Sequence, residues 1–233
     1  LTMQAMDKEV LGQVQSWLMQ GESCWLATVV KTWGSSPRPE GSLLACNKRG
    51  QITGSLSGGC VEEDLLEKLT QGELAVDSPQ FFQYGITAEE TEKLGLPCGG
   101  HLYIVIEPLQ PTDTLRAHFD QVNAALDERR CVQRTIDLRK GKTTIIDVEK
   151  HLPLKWDDAN QVLTHTYGPR YQLFIIGAGM VSRYLAEMAG MLDYDVTVCD
   201  PREDLLADFD MQSVKKITDM PDDAVAKYAK DQA

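Results

Sequence analysis

The sequence predicts an α/β protein in which an N-terminal mixed α+β domain precedes a Rossmann-type unit. Strand-like apolar runs alternate with amphipathic helical segments over residues 1–150. From Tyr171 onward, an apolar strand, a glycine loop, a helix and a second strand follow in the order of a dinucleotide-binding fold. Residues 151–170 carry no clear period. We therefore predict domains at 1–150 and 171–233, with 151–170 as a connecting segment.

Each element of the N-terminal domain is predicted from apolar periodicity and from turn residues. Gly72 is expected to stop the second helix, and Thr87 to cap the third. The predicted elements are a helix at 5–20, a strand at 24–30, a loop at 31–41, a hairpin around 47–50, a helix at 61–72, a strand at 80–84, a helix at 87–95, a strand at 101–109, a helix at 112–128 and a hairpin at 131–148.

Composition narrows the class of protein. The 233 residues carry a formal net charge of −12, which repels nucleic-acid backbones, so we expect no nucleic-acid partner. We also expect no membrane association, because no apolar run reaches the length of a membrane span. The first residues lack the basic start and apolar centre of a signal peptide, so we expect a cytoplasmic protein.

Six cysteines fall into two groups. Four lie in or beside apolar, strand-like stretches and are predicted to be buried small hydrophobic residues: Cys24, Cys46, Cys131 and Cys199. Cys60 and Cys98 instead lie beside double glycines, in "SGGCVE" and "LPCGGH".

The stretch "SLSGGCVEED" places Cys60 where a glycine loop becomes a helix. The helix dipole favours a thiolate at this position. The N–H groups of Gly58 and Gly59, with the hydroxyls of Ser55 and Ser57, are predicted to hold a phosphate-like anion. Tight glycine turns with incidental cysteines are the structural alternative.

Cys98 is followed directly by Gly99, so it is a second cysteine without a bulky neighbour on its C-terminal side. Two such sulfurs could ligate a soft metal centre or pass sulfur between them. The spacing from Cys60 to Cys98 permits a meeting within one chain or across a dimer.

The second region carries the pattern Gly177-x-Gly179-x-x-Ser182. In a dinucleotide fold the first glycine makes the turn and the second admits a pyrophosphate, while the third position needs only a small residue. Asp200 follows Gly179 by the interval expected of a carboxylate that binds ribose hydroxyls, and it would favour NAD over NADP. A fold that binds no nucleotide is the alternative.

This unit is short for a doubly wound sheet. The strand "FIIGAG" would form an unprotected edge, which soluble proteins avoid. We expect an incomplete unit, with three explanations open: the chain is truncated, further residues lie outside the structure, or a partner completes the sheet. The last explanation predicts a homodimer.

Three segments together resemble the xanthine dehydrogenase accessory protein (XdhC/CoxI) family. They are "ATVVKTWGSSPRPEGSLL", "GSLSGGCVEEDLL" and "LPCGGHLYIVIEPL". The stretch from Phe174 to Glu203 resembles the Rossmann domain that follows in that family. The resemblance implies a maturation factor that binds the molybdenum cofactor while a cysteine desulfurase supplies sulfur, and then delivers it to a molybdenum hydroxylase apoenzyme.

The resemblance also implies roles for particular residues. The family's loop cysteines correspond to Cys60 and Cys98, which become candidate molybdenum contacts and sulfur carriers. Its first signature corresponds to residues 33–39, where Arg38, helped by Ser35 and Ser36, is suited to a phosphate. An ion pair of Arg38 with Glu40 or Glu62 is the structural alternative. Trp33 could cover a flat ring, although a core position is the more common role of tryptophan.

The resemblance implies a cofactor-binding chaperone more than a turnover enzyme. The alternative is an NAD(P)-dependent oxidoreductase that uses the C-terminal unit, but no Tyr-x-x-x-Lys pair in the right context or zinc ligand set supports it. A weaker alternative is a sulfurtransferase in which Cys60 carries a persulfide.

Overall fold

The structure is a computed structural model that describes residues 6–33, 38–57, 59–85, 101–192, 194–211 and 214–229. Its helices are α1 (Met6–Met19), α2 (Cys60–Thr70), α3 (Asp113–Asp127), α4 (Met180–Met191), α5 (Glu203–Ala207) and α6 (Pro221–Tyr228). Its strands are β1 (Cys24–Trp33), β2 (Leu43–Asn47), β3 (Ile52–Gly54), β4 (Gln80–Tyr84), β5 (His101–Leu109), β6 (Cys131–Asp137), β7 (Lys142–Val148), β8 (Lys155–Asp157), β9 (Val162–Tyr167), β10 (Tyr171–Ile176), β11 (Tyr194–Cys199) and β12 (Lys215–Ile217).

An antiparallel sheet of order β3-β2-β1-β5-β4 forms the centre of the N-terminal region. Alternate residues of β1 point to opposite faces, so the strand serves two apolar cores. On one face, Ala27 and Val29 pack in a cluster with Val61 and Leu65 of α2. On the other face, Leu26 belongs to a cluster with residues of α1 and α3. The sheet thereby fixes the start of α2.

A second antiparallel sheet, of order β7-β6-β9-β8, is joined to the first through a buried ion pair. Arg134 of β6 donates two hydrogen bonds to Glu107 of β5, at 2.7 and 3.1 Å. Neither side chain is more than 3% exposed. Burial disfavours the charged guanidinium, but its charge interactions and hydrogen bonds with Glu107 and Tyr167 together outweigh this effect and raise the pKa of Arg134.

His118 of α3 completes this ion pair, since Arg134 Nε donates to its Nε2 at 2.8 Å. Burial and the adjacent guanidinium lower the pKa of His118 to about 4, so its ring is neutral and can accept this bond. Arg134 also donates to the hydroxyl of Tyr167 on β9 at 3.3 Å. One guanidinium therefore joins β5, β6, β9 and α3.

The region at 151–170 differs from the expected connecting segment. It contains β8 and β9, and β9 pairs with β6 along its whole length. The alternation that marks β9 was hidden because one of its inward positions is His165, a polar residue that is 1% exposed. The domain boundaries themselves remain a prediction.

The C-terminal region contains a parallel sheet of order β10-β11-β12. Strand β10, the glycine loop, α4 and β11 follow in the predicted order. Ile175, Val196 and Val198 pack against Ala186 and Ala189 of α4. A Rossmann-type unit remains our interpretation of this region, whereas the α/β class of the whole chain is confirmed.

Most of the other predicted elements are confirmed within a few residues. β1 is longer than predicted, because its pairing with β5 continues past an irregularity at Val29/Lys31 to Trp33. Cys24, Cys46, Cys131 and Cys199 are buried free thiols, as predicted. The helix predicted at 87–95 lies outside the described residues. No described helix has the length and apolarity needed to cross a membrane.

Candidate functional site

The loop before α2 is organised around one carboxylate, that of Glu62. Its Oε1 accepts hydrogen bonds from the hydroxyl of Ser55 at 2.9 Å and from the N–H groups of Leu56 and Ser57 at 2.9 and 2.8 Å. Its Oε2 accepts from the Ser57 hydroxyl at 2.7 Å and from the Gly59 N–H at 3.1 Å. Five donors of the loop thus converge on a single side chain.

This convergence follows from the position of Glu62 on α2. The helix begins at Cys60 with Gly59 as its N-cap, so Glu62 is the third helical residue. A glutamate at this position reaches back to the N-cap N–H and satisfies donors that the first helical turn leaves open. The bonds to residues 55–57 extend this cap into the preceding loop.

Three of the donors predicted to hold a phosphate-like anion are therefore engaged within the chain: the hydroxyls of Ser55 and Ser57 and the N–H group of Gly59. The fourth, Gly58, lies outside the described residues. The N–H group of Ser57 also donates to the Glu62 carboxylate. Sequence reasoning missed this carboxylate. The signal was present as Glu62 three residues after Gly59, the spacing of a capping box.

The two candidate sulfurs are only partly covered by the structure. Cys60 begins α2, as predicted, but its side chain lies outside the described part of the chain. Gly58, Cys98 and Gly99 also lie outside the described residues. Contacts of Cys60 and Cys98 with a metal, or with each other, remain predictions.

The first signature loop ends above a buried histidine. A Cβ built on Gly41, whose φ is +89°, would lie 3.1 Å from His165 Nε2 and 4.0 Å from Arg170 Nη2. Burial lowers the pKa of His165 to about 3, and the charge of Arg134 adds to this effect, so the ring is neutral. Arg38, the predicted phosphate ligand, is three residues before Gly41 and has interactions within the chain. The structure does not describe residues 34–37, which include Ser35 and Ser36, or the side chain of Trp33.

The C-terminal region built on the parallel sheet β10-β11-β12 is called the parallel unit. Its glycine loop, between β10 and α4, has the expected backbone. Gly177 has a φ of +97° and donates its N–H to the carbonyl of Cys199 at 2.7 Å. Gly179 is the N-cap of α4, and a Cβ at either glycine would meet open space. The loop therefore leaves room for a ligand to approach the start of α4, although ligand binding here remains a prediction.

Asp200 has protein partners on both carboxylate oxygens. Oδ2 accepts from the Ala178 N–H and from Arg202 Nη2, each at 2.8 Å, and Oδ1 accepts from Arg202 Nε at 2.9 Å. These bonds, chiefly those from Arg202, hold the pKa of Asp200 well below its usual range. The carboxylate thus ties the glycine loop to the end of β11, and its predicted bond to ribose stays a prediction.

Part of this chain matches a known protein family. Residues 17–85 match the model of the XdhC and CoxI family. The resemblance to this family is thereby confirmed. The matched XdhC/CoxI segment contains Arg38, the loop at 55–59, Cys60 and Glu62, whereas Cys98 and the glycine loop follow it in the chain.

Two curated proteins extend the similarity beyond the XdhC/CoxI segment. One is described as a probable xanthine dehydrogenase subunit of Bacillus subtilis, and it is 25% identical over 78% of this chain and 60% of the relative. The other is "Molybdenum cofactor insertion chaperone PaoD" of Escherichia coli, 24% identical over 78% of this chain and 54% of the relative. The chain thus spans somewhat more than half the length of these relatives.

A solved structure supports the fold. It is described as a xanthine dehydrogenase from Bacillus halodurans, with a TM-score of 0.61 and 24% identity over 95% of this chain and 71% of that one. At this identity the likeness establishes the fold alone, and it covers both the XdhC/CoxI segment and the parallel unit.

Replacing Glu62 by alanine is expected to loosen the loop before α2. The change removes the shared acceptor of five donors, so we expect a loss of about 1.5–3 kcal/mol in the free energy of unfolding. Amide hydrogen exchange at Leu56, Ser57 and Gly59 should accelerate. Glu63→Ala removes an exposed carboxylate from the same helical turn and is the matched control. Equal exchange rates in the two variants would contradict the role of Glu62.

Proposed function

We propose that this chain takes part in the maturation of a molybdenum hydroxylase of the xanthine dehydrogenase type. In this proposal it binds the molybdenum cofactor, holds it during sulfuration and assists its insertion into the apoenzyme. Its role is that of a cofactor-binding chaperone, with a cysteine desulfurase and the apoenzyme as partners in the cytoplasm.

One observation carries the proposal. The match to the XdhC and CoxI family covers the loop that presents Cys60, and a relative over 78% of the chain is named as a molybdenum cofactor insertion chaperone. The loop geometry supports the same proposal, because Glu62 accepts hydrogen bonds from the N–H groups of Leu56, Ser57 and Gly59 and so orders the chain before α2. A preorganised loop lowers the entropic cost of binding.

The chemistry of the donors near Gly41 fits a phosphate-bearing pterin. Arg170 and His165 lie beside this loop end, and Arg38 belongs to the same loop. The two guanidinium groups supply local positive charge in a protein of net charge −12, and guanidinium groups bind phosphate well, whereas the neutral His165 ring adds no charge. We therefore assign the phosphate end of the cofactor to Arg38, and its sulfur-bearing end to Cys60 and Cys98.

The loop at 55–59 has a different role in this proposal. Since its donors are engaged by Glu62, the loop positions the start of α2 instead of holding the phosphate. When bound, the cofactor supplies the molybdenum centre and its exchangeable sulfur. The chain supplies binding, orientation and shielding of that centre from water and oxygen.

Replacing Cys60 by serine is expected to reduce retention of the cofactor or its sulfuration, while the fold is kept. The oxygen of serine is a poor ligand for a soft metal centre and cannot carry a persulfide. The measurements are the pterin and molybdenum contents of the purified chain, and the activity gained by the apo-hydroxylase on mixing.

Cys24→Ala is the matched control for the Cys60 variant. Burial, followed by the charges of Cys46 and Glu22, raises the pKa of Cys24 to about 12, so this thiol is protonated at neutral pH. Its removal should leave cofactor content unchanged. If Cys60→Ser also leaves cofactor content and client activation unchanged, the role of Cys60 is refuted.

The alternative, an NAD(P)-dependent oxidoreductase, receives less support. Its nucleotide would use Gly177, Gly179 and Asp200, but both oxygens of Asp200 already accept hydrogen bonds from protein donors. Titration of the purified chain with NAD and with NADP tests this alternative. Saturable binding with a preference for NAD would favour it, and no binding at millimolar concentrations would leave the unit as a scaffold.

We also propose that the protein works as a homodimer through the parallel unit. Strand β10 is an edge of its sheet among the described strands, and α4 exposes a row of apolar side chains beside it. Such edges and patches are typical of interaction surfaces. The exposed apolar residues are Tyr171, Ile176, Met180, Val181, Tyr184, Leu185, Met188, Met191 and Leu192.

Light scattering is expected to give twice the mass of 25.9 kDa for the purified chain. Val181→Asp, at the most exposed of these positions, should shift the equilibrium toward the monomer, because an unpaired carboxylate disfavours an apolar interface. Asp210→Asn, at an exposed position after α5, is the control that should remain dimeric. A monodisperse monomer of the unaltered chain would refute the dimer.

A further inference from the structure

The parallel sheet has two unlike faces. One face is apolar and packs against α4 and α5 through residues such as Ile175 and Val198. The opposite face carries polar side chains at adjacent register positions: Gln172 beside Asp195, and Thr197 beside Lys215. Parallel sheets are normally apolar on both faces, so this polar face calls for a physical explanation.

A cleft lies over the polar face. Its volume is about 330 Å³, at the lower end of the range for small-molecule sites. Residues of β6, β7, the parallel sheet and α6 form its walls. The charged and aromatic residues of these walls include Arg130, Asp147, Asp195, Lys215, Lys227 and Tyr228.

Asp195 lies at the base of this cleft and lacks a partner on one oxygen. It is 7% exposed, and its Oδ2 accepts a hydrogen bond from Lys215 Nζ at 2.7 Å. Its Oδ1 is buried and has no hydrogen-bond partner among the described residues. Buried carboxylate oxygens are almost always hydrogen-bonded, so this atom is suited to an O–H or N–H donor from a ligand.

The rim of the cleft supplies positive charge. Arg130 is 44% exposed, and its bonds to Asp147 and Glu128 are surface ion pairs, which are weak and easily exchanged. Lys215 pairs with Asp195 at 2.7 Å and Lys227 with Asp219 at 3.6 Å, and the two lysine side chains are 56% and 65% exposed. Lys227 Nζ also lies 4.7 Å from the centre of the Tyr228 ring, so cationic and aromatic surfaces occur side by side.

We propose that this cleft binds a purine nucleoside monophosphate. The ribose hydroxyls would donate to Asp195, as carboxylates commonly do for ribose, and the phosphate would lie beside Arg130, Lys215 and Lys227. The ring of Tyr228 supplies a stacking surface for the base. A cleft of this volume suits a mononucleotide and leaves a dinucleotide partly outside.

The cleft is separate from the glycine loop. Gln172 and Asp195 are the second residues of β10 and β11, whereas Gly177 follows the last residue of β10. Five residues of strand separate the two ends by about 16 Å. The residues that line the cleft include neither Cys60 nor Arg38, so nucleotide binding here is independent of the proposed maturation function.

Isothermal titration calorimetry of the full chain with adenosine and guanosine 5′-monophosphate tests the proposal. We expect saturable binding of at least one of them at submillimolar concentration, and much weaker binding of inorganic phosphate. Asp195→Asn should weaken nucleotide binding at least tenfold. Asp77→Asn, at an exposed position in the turn before β4, should bind as the unaltered chain does.

Two further variants test whether the nucleotide binds in the cleft or at the glycine loop. Gly179→Asp places a carboxylate at the start of α4 and should leave binding unchanged. If this variant loses binding while Asp195→Asn keeps it, the nucleotide lies at the glycine loop and the proposal is overturned. If Asp195→Asn does not fold, Lys227→Gln at an exposed position should weaken binding at least threefold. Absence of binding by the folded, unaltered chain also overturns the proposal.

Discussion

Replacing Arg134 by methionine is expected to lower the free energy of unfolding by about 3–5 kcal/mol, because it leaves Glu107 as an unpaired buried charge. The same guanidinium donates to His118 and Tyr167, so three elements lose a partner at once. The change should appear in a urea titration as a lower midpoint with an unchanged slope.

A double variant separates loss of charge pairing from loss of packing. Arg134→Met combined with Glu107→Met replaces both charges by apolar groups of similar length, and it should recover much of the lost stability. Lys140→Met removes an exposed partner of Asp137. Its urea midpoint should equal that of the unaltered chain within experimental error. If the double variant is as unstable as the single one, burial of an unpaired charge is not the cause.

Replacing Gly54 by alanine is expected to lower the free energy of unfolding by about 2–5 kcal/mol, because strain in the backbone adds to overpacking. Gly54 has a φ of +88°, which disfavours any side chain. A Cβ there would also clash with the Leu43 carbonyl and lie 2.6 Å from Cγ2 of Val10. The clash would push α1 away from the hairpin of β2 and β3.

Gly50→Ala is the matched control, since Gly50 belongs to the same hairpin and has a φ of +80°. The nearest atom to its Cβ would be Leu66 Cδ2 at 3.9 Å, an ordinary contact. We therefore expect a loss of only about 1–2 kcal/mol, from backbone strain alone. Equal losses of unfolding free energy in the two variants would show that contacts of the new methyl group with α1 and β2 do not determine the destabilisation at Gly54.

The fold was largely predictable wherever local pattern and burial agree. α1 shows its apolar residues at helical spacing, and β5 is a continuous apolar run, so both were predicted within a few residues. β9 was missed because the interior between the two sheets is polar as well as apolar. His165 and Arg134 are buried by tertiary contacts. The spacing of apolar residues along the sequence gives no information about such contacts.

The local backbone structure at the candidate site was predictable from the sequence, but its hydrogen bonding was not. The glycine loop and the start of α2 at Cys60 follow from the sequence "SLSGGCVEED". Which anion the loop donors hold could not be predicted, because Glu62 and an external phosphate satisfy the same donors. The same uncertainty applies to Asp200, whose spacing indicates ribose while its hydrogen bonds are to Ala178 and Arg202.

Cofactor content is the most direct test of whether this chain binds the molybdenum cofactor. The protein is purified without oxygen from cells that make the cofactor, and its pterin and molybdenum are measured against protein concentration. Cofactor binding predicts both in near-equal amounts, approaching one per chain, and a marked loss in Cys60→Ser but not in Cys24→Ala. Absence of pterin and molybdenum from the folded, unaltered chain would contradict it.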